Sequence, residues 1–143
     1  MKTVCITGAT GFIGKNLLAQ LRSREDLNLI ALSRKLPPML DGAKKDNVTW
    51  KKCNGFSLID AENACEGVDT LIYLIHSMLP STSLFQGSFS DFDLYLADNF
   101  ARAAARKGVK RIIYLGGLIP KDQKLSAHLE SRLEVERTLA EYG

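Results

Sequence analysis

The chain has 143 residues, a length that suits one domain with a single layered core and leaves little for a second unit. Lysine and arginine outnumber aspartate and glutamate by 19 to 16, and the basic residues are scattered, which argues against a nucleic-acid-binding surface. No apolar stretch approaches the length of a membrane span, and Cys5, Cys53 and Cys65 lack metal-ligand spacing. We therefore expect a cytoplasmic protein without a membrane segment or a metal site, whose cysteines are reduced and behave as small hydrophobic residues.

Short apolar runs alternate with helical periodicities along the chain. The predicted strands span residues 3–7, 27–33, 48–52, 69–75 and 111–115. The predicted helices span residues 12–22, 57–67, 90–108 and 126–141, with Ser57 and Ser90 as N-terminal caps of the second and third. Strands that alternate with helices imply right-handed βαβ crossovers. The sequence therefore predicts an α/β fold of the Rossmann type, a doubly wound parallel sheet with the strand order 3-2-1-4-5.

A glycine-rich segment joins the first predicted strand to the first predicted helix. Gly8 permits a tight turn, Gly11 lets backbone amides approach a pyrophosphate without a Cβ atom in the way, and Gly14 allows close helix–sheet packing. The N-terminus of the helix adds further attraction for an anion. The segment therefore predicts a bound dinucleotide, and the alternative is that the glycines only form a turn. The residues predicted to hold it are Gly8, Thr10, Gly11, Phe12, Ile13 and Gly14.

The end of the second predicted strand indicates which dinucleotide is bound. An acidic residue that would bind a ribose 2′-hydroxyl is expected there, but the sequence reads Ser33, Arg34 and Lys35. Arg34 can form charge-assisted hydrogen bonds to a 2′-phosphate and stack on adenine, and Ser33 adds a hydroxyl. These residues favour NADP over NAD as the cofactor. The alternative is that Arg34 and Lys35 are solvated loop charges.

The segment TGATGFIG, residues 7–14, resembles the opening motif of the short-chain dehydrogenase/reductase superfamily in its extended and atypical branches. The later segments YLIHSM (73–78), YLGGL (114–118) and SAHLESR (126–132) resemble the atypical, NmrA-like NAD(P)-binding proteins. The resemblance implies a single NAD(P)-binding domain over residues 1–143, without the C-terminal substrate-binding part of such proteins. It also implies that the nicotinamide half of the cofactor passes Ile75, His76 and Ser77. Loop capping is the alternative role for His76 and Ser77.

The resemblance also implies where catalytic groups would lie. The superfamily has a Ser or Thr after the fifth strand and a Tyr-x-x-x-Lys pair on the next helix, in which the Tyr donates a proton. Gly116 and Gly117 stand in place of the hydroxyl here, and His128 and Arg132 occupy the register of the Tyr and the Lys. An imidazole can transfer a proton, whereas Arg132 is a fixed charge that can bind the nicotinamide ribose. The alternative for His128 is a polar residue in the first turn of a solvated helix.

Two functions follow from these features. The first is the cofactor-binding part of an NADP-dependent oxidoreductase that acts on a small carbonyl substrate, with this chain inactive alone. The second is a non-catalytic redox sensor that binds the same cofactor and contacts a partner protein. An uncovered sheet edge or helix face would favour a homodimer.

Overall fold

The structure, a computed structural model, describes residues 1–36, 40, 42, 44–76 and 89–142. These residues form six strands and four helices. Ser77, which the resemblance places beside the nicotinamide half of the cofactor, lies outside the described residues. The strands are β1 Lys2–Ile6, β2 Leu27–Ser33, β3 Lys44–Lys45, β4 Val48–Lys52, β5 Thr70–Tyr73 and β6 Arg111–Tyr114. The helices are α1 Phe12–Leu21, α2 Leu58–Cys65, α3 Phe89–Arg106 and α4 Ala127–Ala140.

The strands form one sheet in the order β3-β4-β2-β1-β5-β6. Every neighbouring pair is parallel except β3 and β4, which are antiparallel. The predicted Rossmann-type α/β fold is therefore confirmed, and the five predicted strands lie in the predicted relative order. The edge strand β3 was not predicted, because Lys44 and Lys45 have no apolar alternation.

Serine side chains cap the N-termini of two helices, α2 and α4. The Ser57 Oγ accepts a hydrogen bond of 3.2 Å from the backbone N–H of Asp60, and the Ser126 Oγ accepts one of 3.2 Å from Leu129. The predicted cap at Ser90 is wrong, because α3 begins at Phe89 and Ser90 lies inside the helix. Asp91 puts a negative charge in the first turn of α3, where the helix dipole favours it.

The sheet carries an apolar layer on each face. One layer contains the inward side chains of α2, α3 and α4, and the other lies beneath α1 and includes Leu18, Leu29 and Ile72. The three cysteines are free, buried and all in the first layer. Burial raises the pKa of the Cys53 thiol to about 12 and that of Cys65 to about 11, so these thiols stay protonated at neutral pH. The prediction that the cysteines are buried small residues is confirmed.

Candidate functional site

Three loops leave the sheet side by side at its carboxyl edge. Ile6 near the end of β1 is in register with Ala31 of β2 on one side and with Ile72 of β5 on the other. Because these strands are parallel, the segments that follow them emerge at the same edge, where ligands of such sheets bind. The structure thereby brings the glycine-rich loop next to the segments that contain Arg34 and His76.

Two of the three glycines are required by the fold itself. Gly8 has a φ of 65°, and a Cβ atom there would lie 3.2 Å from the carbonyl oxygen of Leu74. A Cβ atom on Gly14 would lie 2.4 Å from the carbonyl oxygen of Gly8 and 2.7 Å from the Cα atom of Ala9. The clash at Gly14 involves backbone atoms that cannot turn away, so a larger residue there would push α1 off the loop. At Gly8 the positive φ itself disfavours any residue with a side chain.

Gly11 is not required by the fold in this way. Its backbone angles, φ −74° and ψ 174°, suit any residue, and the nearest atom to an added Cβ would be the Gly8 carbonyl oxygen at 3.4 Å. Gly11 is the exposed N-cap of α1, where no side chain caps the helix and no acidic residue occupies the first turn. The first-turn N–H groups of an α-helix have no partner within the helix, so this end attracts an anion. Because Gly11 has no side chain, an anion can reach these N–H groups.

Thr7 fixes the loop to the neighbouring strand and was missed by the sequence analysis. The residue is fully buried, and its Oγ1 donates a hydrogen bond of 3.3 Å to the Ile72 carbonyl oxygen. The same oxygen accepts a hydrogen bond of 3.0 Å from the Leu74 backbone N–H. Ile72 lies on β5 and Leu74 lies just after it. The Thr7 hydroxyl therefore joins the start of the glycine-rich loop to the end of β5.

The other predicted residues around the loop are mostly exposed. Thr10, Phe12 and Ile13 lie on the surface at the start of α1, with Phe12 81% exposed. Ile75 is half-buried and His76 is exposed, directly after β5. An apolar side chain as exposed as Phe12 is available to cover a bound molecule. Binding roles for these residues remain predictions.

The end of β2 is basic and open to solvent. Ser33 is half-buried, and its backbone carbonyl accepts a hydrogen bond of 3.0 Å from the Cys53 N–H. Arg34 and Lys35 are exposed, and none of the ion pairs between described residues involves either of them. Both cations are therefore available to an anionic ligand.

Arg132 joins α4 to the end of β6. Its guanidinium donates a hydrogen bond to the Leu115 carbonyl oxygen and lies over the Tyr114 ring, with Cζ 5.8 Å from the ring centroid. Burial raises the pKa of the Tyr114 phenol, and the charge of Arg132 partly opposes that shift. A Cβ atom on Gly117 would lie 2.6 Å from the Leu129 side chain, so the glycine lets the loop pass close to α4.

His128 is exposed in the first turn of α4, one helical turn before Arg132. Because α4 follows β6, its N-terminal end lies on the carboxyl side of the sheet with the glycine-rich loop. Catalytic roles for His128 and Arg132 remain predictions. Among the described histidine, cysteine, aspartate and glutamate residues, no group of three or more is placed to hold a metal ion. In the same part of the chain, no helix combines the length and apolar character needed to cross a bilayer.

Solved structures with the same fold include a triphenylmethane reductase from Citrobacter sp., with a TM-score of 0.76 and 19% identity over 99% of this chain and 46% of the reductase. A nucleoside-diphosphate-sugar epimerase from Staphylococcus aureus has a TM-score of 0.75 and 21% identity over 100% of this chain and 47% of the epimerase. These likenesses establish the Rossmann-type fold.

The sequence comparisons are more specific. The chain is 37% identical over 116 residues to the auxiliary protein GraX of Staphylococcus aureus (strain NCTC 8325 / PS 47), a match that covers 80% of this chain and 36% of GraX. The chain thus spans about a third of the length of this curated relative. A family model described as NAD(P)H-binding matches residues 8–142, so a nicotinamide dinucleotide is the cofactor of this domain. The chain belongs to the NAD(P)H-binding family, which confirms the predicted resemblance to NAD(P)-binding proteins.

Proposed function

We propose that the chain is the cofactor-binding domain of a cytoplasmic oxidoreductase of the short-chain dehydrogenase/reductase type, and that it prefers NADP(H). The observation that supports cofactor binding most strongly is Gly11, whose missing side chain serves no packing need of the protein. A pyrophosphate at this position would receive backbone N–H groups from the first turn of α1. Gly8 and Gly14 hold that turn in place, and Thr10, Phe12 and Ile13 border it.

The preference for NADP(H) rests on the end of β2. A 2′-phosphate carries close to two negative charges and suits the planar guanidinium of Arg34, which can bind two of its oxygens at once. Arg34 and Lys35 are exposed beside the loop, and Ser33 adds a hydroxyl. NAD(H) has no group that would use these charges.

In the oxidoreductase, the bound dinucleotide supplies or accepts a hydride at its nicotinamide ring. Ile75 and His76 would border the nicotinamide half, because they follow β5 next to the loop. His128, exposed at the start of α4, would exchange a proton with a small carbonyl substrate. Arg132, whose guanidinium already binds the Leu115 carbonyl, would hold α4 and the nicotinamide ribose in a fixed relation.

A second candidate is a non-catalytic NADP(H)-dependent sensor, and three observations favour it. The Arg132 guanidinium already contacts the Tyr114 ring and the Leu115 carbonyl oxygen. Gly116 and Gly117 stand where the superfamily has its catalytic hydroxyl. The GraX relative is itself described as an auxiliary protein. In a full-length protein that contains this domain, His128→Gln separates the candidates. Loss of substrate-stimulated NADPH oxidation with cofactor affinity retained supports the enzyme, whereas a protein without such turnover supports the sensor.

Titration with NADPH and NADH, followed by the fluorescence of the reduced nicotinamide, tests cofactor choice. We expect the chain to bind NADPH at least about tenfold more tightly than NADH, since a charge-assisted hydrogen bond contributes about 1.5–3 kcal/mol. Arg34→Ala should remove most of the difference by weakening NADPH alone. Lys45→Ala is the control, because Lys45 is exposed on β3 away from the carboxyl edge. Equal affinities for the two cofactors in the unaltered chain would contradict the preference.

We also propose that two copies of the chain associate along β6. Within the described residues, β3 and β6 are the edge strands of the sheet, and they differ: β3 consists of Lys44 and Lys45, charges that discourage pairing with another strand, whereas β6 has one charged residue, Arg111, followed by two isoleucines and a tyrosine. Large side chains from Ile113 to Ile119 are exposed, with Leu115 at 53% and Leu118 at 95%. Exposed apolar side chains gathered in one segment are typical of an interaction surface.

Sedimentation equilibrium tests this association. A two-fold axis through antiparallel β6 strands closes the assembly at a dimer. We expect a concentration-dependent dimer that Leu115→Lys converts to a monomer, while Ile59→Lys, at an exposed apolar residue of α2, leaves the dimer intact. A chain that stays monomeric at all concentrations, or a dimer that Leu115→Lys leaves unchanged, would contradict the interface.

A further inference from the structure

Ser33 and Lys52 lie side by side at the carboxyl edge of the sheet. They are register partners at the ends of β2 and β4, which are parallel neighbours. Residues paired in this way point to the same face of a sheet, and alternate residues along each strand share that face. Leu29 and Val48, which lie in the apolar layer beneath α1, have this parity. Ser33 and Lys52 therefore point to the face on which α1 begins.

This placement adds a charge to the basic end of β2. Lys52 is exposed, as are Arg34 and Lys35, so three basic residues stand at or just after the ends of β2 and β4. Basic residues at one edge of a sheet make the local electrostatic potential more positive, which attracts an anion. Ser33 lies among them with a hydroxyl that can donate a hydrogen bond.

We infer that Lys52 is a second cationic ligand of the 2′-phosphate of NADP(H), opposite Arg34 and next to Ser33. The inference rests on the proposed preference for NADP(H) and adds a residue that the β2 sequence does not contain. Arg34 acts as a fork that orients the phosphate, and the Lys52 ammonium acts as a compact charge on a flexible stem. Because NAD(H) has only a hydroxyl at this position, Lys52 contributes to the choice between the two cofactors.

Lys51 provides a matched control. It is the residue before Lys52, its register partner is Leu32, and Leu32 lies in the apolar layer of the opposite face. The two lysines thus have the same charge and adjacent positions but point to opposite faces of β4. A purely long-range effect of net charge would be equal for both.

The experiment compares the dissociation constants of NADPH and NADH for the unaltered chain and for Lys52→Ala, Lys51→Ala and Arg34→Ala. We expect Lys52→Ala to weaken NADPH about tenfold, to leave NADH within about twofold, and to reduce the salt dependence of NADPH binding. Lys51→Ala should change neither affinity by more than about twofold. Urea unfolding of each variant checks that the substitution leaves the fold intact.

The outcomes separate this inference from the proposed function. If the unaltered chain prefers NADPH and Arg34→Ala removes the preference while Lys52→Ala does not change it, the role of Lys52 is overturned and the proposed function stands. Equal losses in Lys51→Ala and Lys52→Ala also overturn it. If the unaltered chain has no preference, the proposed choice of NADP(H) fails, and the role of Lys52 fails with it.

Discussion

A Cβ atom on Gly14 would lie only 2.4 Å from the carbonyl oxygen of Gly8, so the first turn of α1 rests directly on the loop that precedes it. This contact determines where the N-terminus of α1 is held relative to β1. A Cβ atom on Gly8 would lie 3.2 Å from the Leu74 carbonyl oxygen, so the loop also passes close to the segment that follows β5. The backbone packing of the protein itself therefore sets the position of the N-terminus of α1.

Gly14→Ala should destabilise the fold. The added methyl group meets backbone atoms of Gly8 and Ala9, which cannot rotate away, so α1 must shift. We expect a loss of about 2–3 kcal/mol in the free energy of unfolding, measured by urea denaturation. An alanine variant as stable as the unaltered chain would show that α1 does not pack on the loop this closely.

Gly11→Ala should leave the stability of the fold nearly unchanged but weaken cofactor binding. Gly11 has ordinary backbone angles, and the added methyl group would meet only one atom at 3.4 Å, so the free energy of unfolding should change by less than about 1 kcal/mol. A pyrophosphate that approaches the backbone at Gly11 would meet this methyl group, so NADPH affinity should fall at least about tenfold. Unchanged affinity in a well-folded Gly11→Ala variant would place the pyrophosphate elsewhere.

Thr7→Val tests the hydroxyl that joins β1 to the segment after β5. Valine has nearly the same shape but leaves the Leu74 N–H without its 3.0 Å acceptor in a partly buried position. An unsatisfied group of this kind costs about 1–3 kcal/mol, which urea denaturation can measure. Thr7→Ser is the control, since it keeps the hydroxyl and should cost less. Greater stability of the valine variant than of the serine variant would contradict this role.

Asp69 should give the fold part of its sensitivity to acid. Its carboxylate accepts hydrogen bonds of 3.0 Å from the Thr3 backbone N–H and 3.0 Å from the Lys110 Nζ, and these lower its pKa, the Thr3 bond most. A carboxyl with a lowered folded-state pKa stabilises the fold above its unfolded pKa, near 4, and loses that effect as pH falls through the folded-state pKa.

Asp69→Asn should therefore be less stable than the unaltered chain at pH 7, and the difference should shrink as the pH falls from about 5 to about 2. Urea unfolding at several pH values measures both effects. Glu25→Gln serves as a control at an exposed carboxylate that forms no ion pair with any described residue. A constant difference between the Asp69→Asn variant and the unaltered chain across this range would contradict the assignment.

Local sequence signals predicted most of the fold. Apolar runs indicated the five parallel strands, and Ser57 with Asp60 indicated a helix start because the cap and its partner are three residues apart. The strand β3 escaped prediction because Lys44 and Lys45 pair with β4 through the backbone and show no apolar pattern. Ser90, predicted as the cap, is instead the second residue of α3, a common error because helix ends are weakly marked by sequence.

The candidate site was only partly predictable. The glycine spacing indicated the loop, but the difference between Gly11 and the other two glycines depends on contacts in space. The Thr7 hydroxyl forms hydrogen bonds with Ile72 and Leu74, which lie more than sixty residues away in the sequence. No local sequence pattern predicts hydrogen bonds over such a distance. Lys52 became relevant only when the register of β4 placed it beside Ser33.

The most direct test of cofactor binding at the glycine-rich loop is a nuclear magnetic resonance titration of the ¹⁵N-labelled chain with NADPH, which locates the cofactor on individual backbone amides. We expect the largest chemical-shift changes at residues 8–14 and at Ser33 and Arg34, while Lys44 and Lys45 on β3 remain unchanged. We also expect Gly11→Ala to abolish the changes in the loop at the same NADPH concentration. Binding of NADPH that leaves the amides of residues 8–14 unperturbed, or no binding at all, would contradict the claim that this loop holds the cofactor.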